Sequence, residues 1–87
     1  MAKIVEFEVE DPKAQQIFLA GDFNQWDPNT TPLKKDRDGK SWKTRLKLSP
    51  GRYEYKFWVD GQWVEDCKNK LSSLNPFGTA NSILEIR

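Results

Sequence analysis

The segment at residues 53–63, which reads YEYKFWVDGQW, constrains the fold more than any other part of the sequence. Apolar and aromatic residues at 53, 55, 57 and 59 alternate with the residues between them, a period of two that predicts a β-strand with one buried face. Asp60 and Gly61 tolerate positive φ and predict a two-residue hairpin turn after this strand. Residues that face each other across a hairpin share a face of the sheet. Trp58 and Trp63 are therefore expected beside Lys56, away from the core.

Two tryptophans beside a lysine on an outer face are open to two interpretations. They can form a recognition surface, since an indole offers a broad apolar face with a polar N–H at its edge. They can equally be packed beneath a neighbouring loop, since tryptophan is highly buried on average in folded proteins. The hairpin alone leaves both interpretations open.

The rest of the chain predicts further short strands and no amphipathic helix. Alternating residues at 5–9, 16–20, 42–48 and 82–87 each predict a strand, and Asp, Gly, Asn and Pro residues between them predict turns. Trp42 shares its predicted face with Leu46 and Leu48, which favours packing in the core. Several short strands separated by turn residues are typical of an antiparallel β-sandwich.

Two segments lack this alternation. The first, residues 23–29, is a loop by its Asn, Asp and Pro content but carries two large aromatic residues. We expect Phe23 to turn inward as an anchor, whereas Trp26, which has polar neighbours, is either exposed or caps the core. The second, residues 65–80, is longer than most connections in a small domain, and such long connections are often binding loops.

Length and composition indicate one domain. The chain has 87 residues, of which 37% are hydrophobic and 31% charged, so we expect a single domain over 1–87 with a modest core. No apolar run approaches the roughly 20 residues of a membrane span, and the N-terminus lacks the apolar segment of a signal peptide. The single cysteine, Cys67, permits no internal disulfide, so a reducing, cytoplasmic setting is the simplest expectation.

The sequence contains no histidine, which excludes several classes of function. Ser-His-Asp and Cys-His triads and His-containing zinc sites are excluded, and neither a metal nor another cofactor is predicted. The net charge of +1 is too balanced for strong non-specific attraction to phosphates. Eight Lys or Arg residues lie between positions 34 and 52, but three of them form the outer face of one predicted strand. A solvated face is therefore favoured over a nucleic-acid platform.

Four motifs in a fixed order carry a resemblance to a known family. They are LAGDFNQW at 19–26, LKLSPG at 46–51, YKFWVDGQW at 55–63 and NPFGTANS at 75–82. With these motifs the chain, over about residues 4–86, resembles the family 48 carbohydrate-binding modules. This family includes the glycogen-binding module of the AMP-activated protein kinase β subunit and the N-terminal domains of isoamylases and glycogen branching enzymes. The resemblance implies an all-β, immunoglobulin-like (early-set) β-sandwich that binds α-1,4-glucan without catalysis.

The resemblance also implies a set of sugar-binding residues. By position in the family motifs they are Trp26, Lys56, Trp63, Phe77, Thr79 and Asn81. The two tryptophans would form the sugar platform, and Lys56 would donate hydrogen bonds to sugar hydroxyls. Phe77 stands where the kinase modules have a leucine that reaches around the glucan. At Asp66 and Cys67 many relatives have Asp-Pro, a departure that bears on the conformation of the loop but on no expected sugar contact.

Two other classes of function stand beside glucan binding. An exposed aromatic patch also suits a protein-interaction domain that packs on a catalytic or kinase partner. An enzyme is the third class, because Asp60, Glu65 and Asp66 lie near the predicted aromatic surface and paired carboxylates can cleave glycosides. However, Asp60 is explained by its turn, and so small a sandwich predicts no deep pocket.

For the glucan-binding function, two indoles held at an angle would favour the curved α-1,4-glucan over a flat β-1,4 chain.

Overall fold

Short antiparallel strands make up almost all of the regular structure. The computed structural model describes residues 2–76 and 78–87, and its elements follow in chain order. The strands are β1 Lys3–Glu10, β2 Ile17–Gly21, β3 Lys34–Lys35, β4 Ser41–Leu48, β5 Gly51–Val59, β6 Gln62–Val64, β7 Ser72–Leu74 and β8 Ala80–Ile86. A 3-10 turn at Asp22–Asn24 follows β2, and the described residues contain no helix long and apolar enough to cross a membrane.

The strands form two antiparallel sheets. The first has the order β1-β4-β3, and the second has the order β2-β5-β8-β7 with β6 also paired to β5. Strand β5 lies at the centre of the second sheet because β2 pairs with one of its edges while β8 and β6 share the other. This arrangement confirms the predicted immunoglobulin-like β-sandwich.

The core fills the space between the two sheets. Phe57 and Leu19 are fully buried, and Tyr55 packs edge-on against Phe7 of the other sheet with ring centroids 5.1 Å apart. Trp42 is also buried, as its alternation with leucines predicts, and its indole N–H donates to the backbone oxygen of Asp11 at 2.9 Å. The inner faces of both sheets are thus occupied by packing, which leaves the outer faces for other contacts.

The outer face of the first sheet is a ladder of ion pairs. Arg45 on β4 contacts Glu6 on β1 at 3.1 Å, and Lys43 contacts Glu8 at 3.7 Å. Lys68, from the loop after β6, also reaches Glu8 at 3.0 Å. The hydrogen bond and charge of Lys68 hold the pKa of Glu8 below its usual value. Two cations of β4, Lys43 and Arg45, are therefore matched by carboxylates of the neighbouring strand.

The hairpin that follows β5 has the predicted register. Asp60 has φ of 47° and Gly61 has φ of 85°, so two consecutive residues adopt the left-handed conformation of a tight hairpin turn. Trp58 lies opposite Trp63 across this turn. The predicted face shared by Lys56, Trp58 and Trp63 is therefore present on the outside of the second sheet.

Two short strands fall where the sequence predicts none. Strand β3 consists of two lysines, and β7 lies inside the segment at 65–80 that lacks alternation. Both strands lie at the edge of a sheet and pair on one side only. Their stability comes from backbone pairing with β4 and β8 rather than from a buried face, so they carry no hydrophobic pattern.

Candidate functional site

A cleft of about 640 Å³ lies on the outer face of the second sheet. Its lining residues are Trp26, Lys56, Trp63, Asn75, Pro76, Thr79 and Asn81. Five of the six predicted site residues are thus brought together from four separate parts of the chain. The sixth, Phe77, lies outside the described residues.

Two indoles, Trp26 and Trp63, form one wall of the cleft, and a third, Trp58, packs behind Trp63. Trp63 on β6 is 44% exposed, and its ring lies edge-on to Trp26 with centroids 6.2 Å apart and planes at 67°. On its other side Trp63 contacts Trp58 of β5, with centroids 4.7 Å apart. Trp63 is therefore held between two other indoles while its own surface stays open to solvent. Trp58 does not line the cleft, so its position matches packing behind the surface more closely than direct contact.

The orientation of Trp26 depends on the turn after β2. Gln25 and Trp26 both have positive φ, 56° and 57°, and the backbone N–H of Trp26 donates to the oxygen of Gly21 at 2.9 Å. The Trp26 indole N–H donates to Oδ1 of Asp22 at 3.0 Å, while Oδ2 of Asp22 accepts the backbone N–H of Glu54 at 2.8 Å. One carboxylate thus ties the indole to β5, and Trp26 is half-buried in the cleft wall.

Gly21 allows this turn to approach β5 closely. A Cβ atom at this position would lie 2.6 Å from the backbone oxygen of Glu54 and 2.8 Å from the ring of Phe23. Phe23 itself turns inward against the core, as predicted, and packs against Tyr53 with centroids 6.1 Å apart. The absence of a side chain at Gly21 therefore sets how near the Trp26 loop can come to the sheet.

Lys56 forms the floor of the cleft and is more buried than its place on an outer face suggests. Only 6% of its surface is exposed, since Ala20 lies opposite it on β2 and the cleft walls surround it. Its ammonium donates to Oγ1 of Thr79 at 3.1 Å. An ammonium has three N–H donors, so the open side of the cleft leaves room for further acceptors.

The hairpin between β7 and β8 forms the polar wall. Asn75 donates its backbone N–H to the oxygen of Thr79 at 2.8 Å, which closes the loop. Its side-chain Nδ2 donates to Oγ1 of Thr79 at 2.7 Å and to Oδ1 of Asn81 at 3.2 Å. Asn81 in turn donates from Nδ2 to Oε1 of Glu54 at 3.2 Å. The polar groups of the cleft thus form one connected network.

The long loop before β7 is anchored to the sheet beneath it. The Tyr55 hydroxyl donates to Oδ2 of Asp66 at 2.7 Å and accepts Nδ2 of Asn69 at 3.1 Å. Burial, with the adjacent carboxylate of Asp66, raises the pKa of Tyr55 well above its usual value, so the hydroxyl stays protonated. Asp66 also donates its backbone N–H to Oγ of Ser82 at 3.2 Å. These bonds hold the loop that leads into the polar wall.

The cleft has the chemistry of a binding site. None of the described residues that line it is a carboxylate, and no group of acidic or sulfur ligands suited to a metal occurs among residues 2–76 and 78–87. What it offers is an angled pair of indoles facing an ammonium, a hydroxyl and two amides. Such a surface combines apolar area with several hydrogen-bonding groups and can receive a ring that has apolar faces and hydroxyls at its rim.

A β-sandwich with an aromatic and polar cleft on an outer face fits the class of carbohydrate-binding modules. Residues 5–87 match the family described as the glycogen recognition site of AMP-activated protein kinase, and the chain belongs to that family. This match confirms the resemblance drawn from the four sequence motifs.

Individual relatives support the same assignment. The chain is 32% identical over 73 residues to 5'-AMP-activated protein kinase subunit beta-2 from Homo sapiens, covering 84% of this chain and 25% of that protein. Subunit beta-1 from Homo sapiens is similar to the same extent, with 32% identity over 73 residues. The chain thus spans about a quarter of the length of the curated relatives it matches. Among solved structures, a maltogenic amylase from S. marinus matches with a TM-score of 0.84 and 28% identity, covering 100% of this chain and 14% of that one.

For four residues around the cleft, no role is predicted from the sequence. Asn75 and Pro76 line it directly, and Asp22 and Glu54 orient residues that do. Asn75 begins the last of the four family motifs, and an Asn-Pro pair indicates a turn. That signal locates a loop, but the side-chain partners of Asn75 follow only from the fold.

Proposed function

We propose that this chain is a single non-catalytic module that binds α-1,4-glucan, such as glycogen, starch or malto-oligosaccharides, in the cleft between Trp26, Trp63 and the β7–β8 hairpin. The observation that carries this proposal is the pair of indoles, 6.2 Å apart with planes at 67°, set opposite Lys56 and Asn81. No cofactor is required for such binding. The family and the neighbouring amylase structure support the proposal.

The physical basis of binding is the match between a glucose ring and this surface. A pyranose presents C–H groups on its faces and hydroxyls at its rim, and an indole face covers the C–H groups with few torsions to immobilise. The ammonium of Lys56 donates hydrogen bonds, and the amide of Asn81 both donates and accepts. Apolar stacking at the tryptophans and polar contacts at the opposite wall therefore act on the same ring.

The angle between the two indoles supports a preference for α-linked glucan. Successive glucose rings of an α-1,4-glucan turn relative to each other, so a curved chain can lie against two surfaces at 67°. A flat β-1,4 chain can contact only one such surface at a time. An open cleft of this kind predicts a dissociation constant of about 1 μM to 1 mM.

Isothermal titration calorimetry of the chain with maltoheptaose, and with cellohexaose as the control, tests this function. We expect saturable binding of maltoheptaose and at least tenfold weaker binding of cellohexaose. Equal affinity for the two sugars would refute the role of the indole angle. Absence of binding to maltoheptaose at about 10 mM would refute the function itself, given the affinity expected above.

A second function, as a docking domain for a kinase or catalytic partner, is supported by exposed apolar residues outside the cleft. Leu71 and Leu74 are 55% and 83% exposed and lie at or beside the edge strand β7. The relatives of which the chain spans about a quarter are subunits of a protein kinase. We place the protein in the cytoplasm with such partners, in keeping with the free thiol of the exposed Cys67. Leu74→Asp would weaken association with a partner while leaving maltoheptaose binding unchanged.

A further inference from the structure

We propose that Asn75 is a positioning residue that turns the Thr79 hydroxyl into a hydrogen-bond donor towards the ligand, so that the sugar hydroxyl at this point must accept. This inference rests on the proposed glucan function and specifies which partner donates in the hydrogen bond between Thr79 and the sugar. It concerns the wall formed by the β7–β8 hairpin, where Asn75 contacts both Thr79 and Asn81.

The orientation of the Asn75 amide is fixed by its neighbours. The backbone N–H of Thr79 can only donate, and it donates to Oδ1 of Asn75 at 3.3 Å. The oxygen of the amide therefore faces the backbone, and Nδ2 faces Oγ1 of Thr79 at 2.7 Å. At the far end of the network the carboxylate of Glu54 can only accept, so Nδ2 of Asn81 faces Glu54 and its oxygen faces Asn75.

The Thr79 hydroxyl accepts two hydrogen bonds within the protein. One comes from Nδ2 of Asn75 at 2.7 Å and the other from the ammonium of Lys56 at 3.1 Å. A hydroxyl oxygen has two lone pairs and one proton, so both of its acceptor positions are in use. The Thr79 hydroxyl can therefore interact with a ligand only by donating its O–H. The residue is exposed and lines the cleft, so that proton can be directed at a bound sugar.

The groups beside Thr79 also offer a ligand mainly hydrogen-bond donors. Lys56 has three N–H donors and no acceptor, and one of the three points to Thr79. Asn81 uses one lone pair of its oxygen for Asn75 and one N–H for Glu54, which leaves its second N–H and one lone pair. The wall therefore meets a sugar mainly with donors, and the lone pairs of neighbouring glucose hydroxyls are the complementary groups.

Two substitutions of Asn75 separate this role from a merely structural one. Asn75→Asp keeps an oxygen for the backbone N–H of Thr79 but replaces the Nδ2 donor with an acceptor. The Thr79 proton is then drawn to the new carboxylate and away from the ligand. Asn75→Ala loses the bond to the backbone as well, but leaves the Thr79 hydroxyl free to turn either way. A positioning role predicts that Asp is the more harmful change, whereas a structural role predicts that Ala is.

The experiment is a calorimetric titration of wild type and both variants with maltoheptaose at pH 7. We expect about a tenfold loss of affinity for Asn75→Asp and about a threefold loss for Asn75→Ala, the scale of one reversed or one missing hydrogen bond. Lys47→Gln, which changes the charge by the same single unit on the first sheet, should bind as wild type does.

The outcomes separate the inference from the function on which it rests. If wild type binds and Asn75→Ala loses as much affinity as Asn75→Asp, the assigned direction of the Thr79 hydrogen bond is wrong and the glucan function stands. If wild type fails to bind maltoheptaose, the proposed function fails and the inference falls with it.

Discussion

The indole N–H of Trp26 and the carboxylate of Asp22 are joined by a hydrogen bond of 3.0 Å that connects a loop to the centre of a sheet. The other oxygen of the same carboxylate accepts the backbone N–H of Glu54 on β5 at 2.8 Å. Trp26 lies in a turn where two consecutive non-glycine residues have positive φ, a conformation that is uncommon for residues with a side chain. Asp22 therefore determines where one half of the aromatic wall stands.

Replacing Asp22 tests this dependence. Asp22→Ala should lower the affinity for maltoheptaose several-fold and the free energy of unfolding by about 1 kcal/mol, since two hydrogen bonds are lost at a partly exposed site. Asp22→Asn keeps one acceptor and should fall between the alanine variant and wild type. The measurements are titration calorimetry and urea unfolding. Unchanged affinity in Asp22→Ala would show that the Trp26 indole is placed without this bond.

Trp63 and Trp42 form a matched pair of tryptophans with opposite roles. Trp63→Ala should lower the affinity for maltoheptaose by about 2 kcal/mol, or roughly 30-fold, as loss of a central aromatic contact does. Trp42→Phe should lower the free energy of unfolding by about 1–2 kcal/mol and leave affinity unchanged, because Trp42 is buried away from the cleft and donates to Asp11. A loss below about 0.5 kcal/mol for Trp63→Ala would place that indole outside the binding site.

Adding a single methyl group at Gly21 should strongly lower the free energy of unfolding. Gly21→Ala should lower the free energy of unfolding by about 2 kcal/mol, since the new Cβ would lie 2.6 Å from a backbone oxygen that cannot move without shifting β5. Gly39→Ala is the control, because it meets open space and carries only the strain of φ at 73°. Urea unfolding measures both variants. Equal, small losses would contradict the close approach of the Trp26 loop to the sheet.

The carboxylate of Asp38 should stabilise the fold to an extent that depends on pH. The backbone N–H groups of Ser41 and Lys40 and the hydroxyl of Ser41 all donate to it, and they lower its pKa from 3.8 to about 2. A lowered carboxyl pKa stabilises the fold above about pH 4 and ceases to do so as pH falls towards 2. Asp38→Asn should therefore have a lower urea midpoint than wild type at pH 7. The difference should shrink between pH 4 and pH 2, and a constant difference would contradict the assignment.

The hairpin and its flanking residues could be predicted from the sequence because local chemistry determines them. Asp60 and Gly61 define the turn, the turn defines the register, and the register places Trp58 and Trp63 on one face. Trp42 could be placed in the core for a similar reason, since it shares its predicted strand face with Leu46 and Leu48, which indicates packing in the core. In each case the neighbours along the chain carry all the information needed.

Other features depend on residues distant in sequence and could not be predicted. Lys56 is buried rather than solvated because the walls of the cleft surround it, including Thr79, which lies 23 residues further on and accepts a hydrogen bond from its ammonium. The choice between exposure and capping for Trp26 is resolved by contact with Trp63, which leaves its ring half-buried beside the open cleft. The family resemblance supplied candidates for the site, and the fold added Asn75, whose partners meet only when β7 pairs with β8.

The most direct test of the central claim is a titration with maltoheptaose followed by the indole N–H signals of the four tryptophans in a proton–nitrogen correlation spectrum. The cleft predicts saturable shifts of the Trp26 and Trp63 signals with one dissociation constant, a smaller shift for Trp58, and none for Trp42, which serves as the internal control. Shifts confined to Trp42, or no shift of Trp26 and Trp63 at saturating sugar, would contradict glucan binding in this cleft.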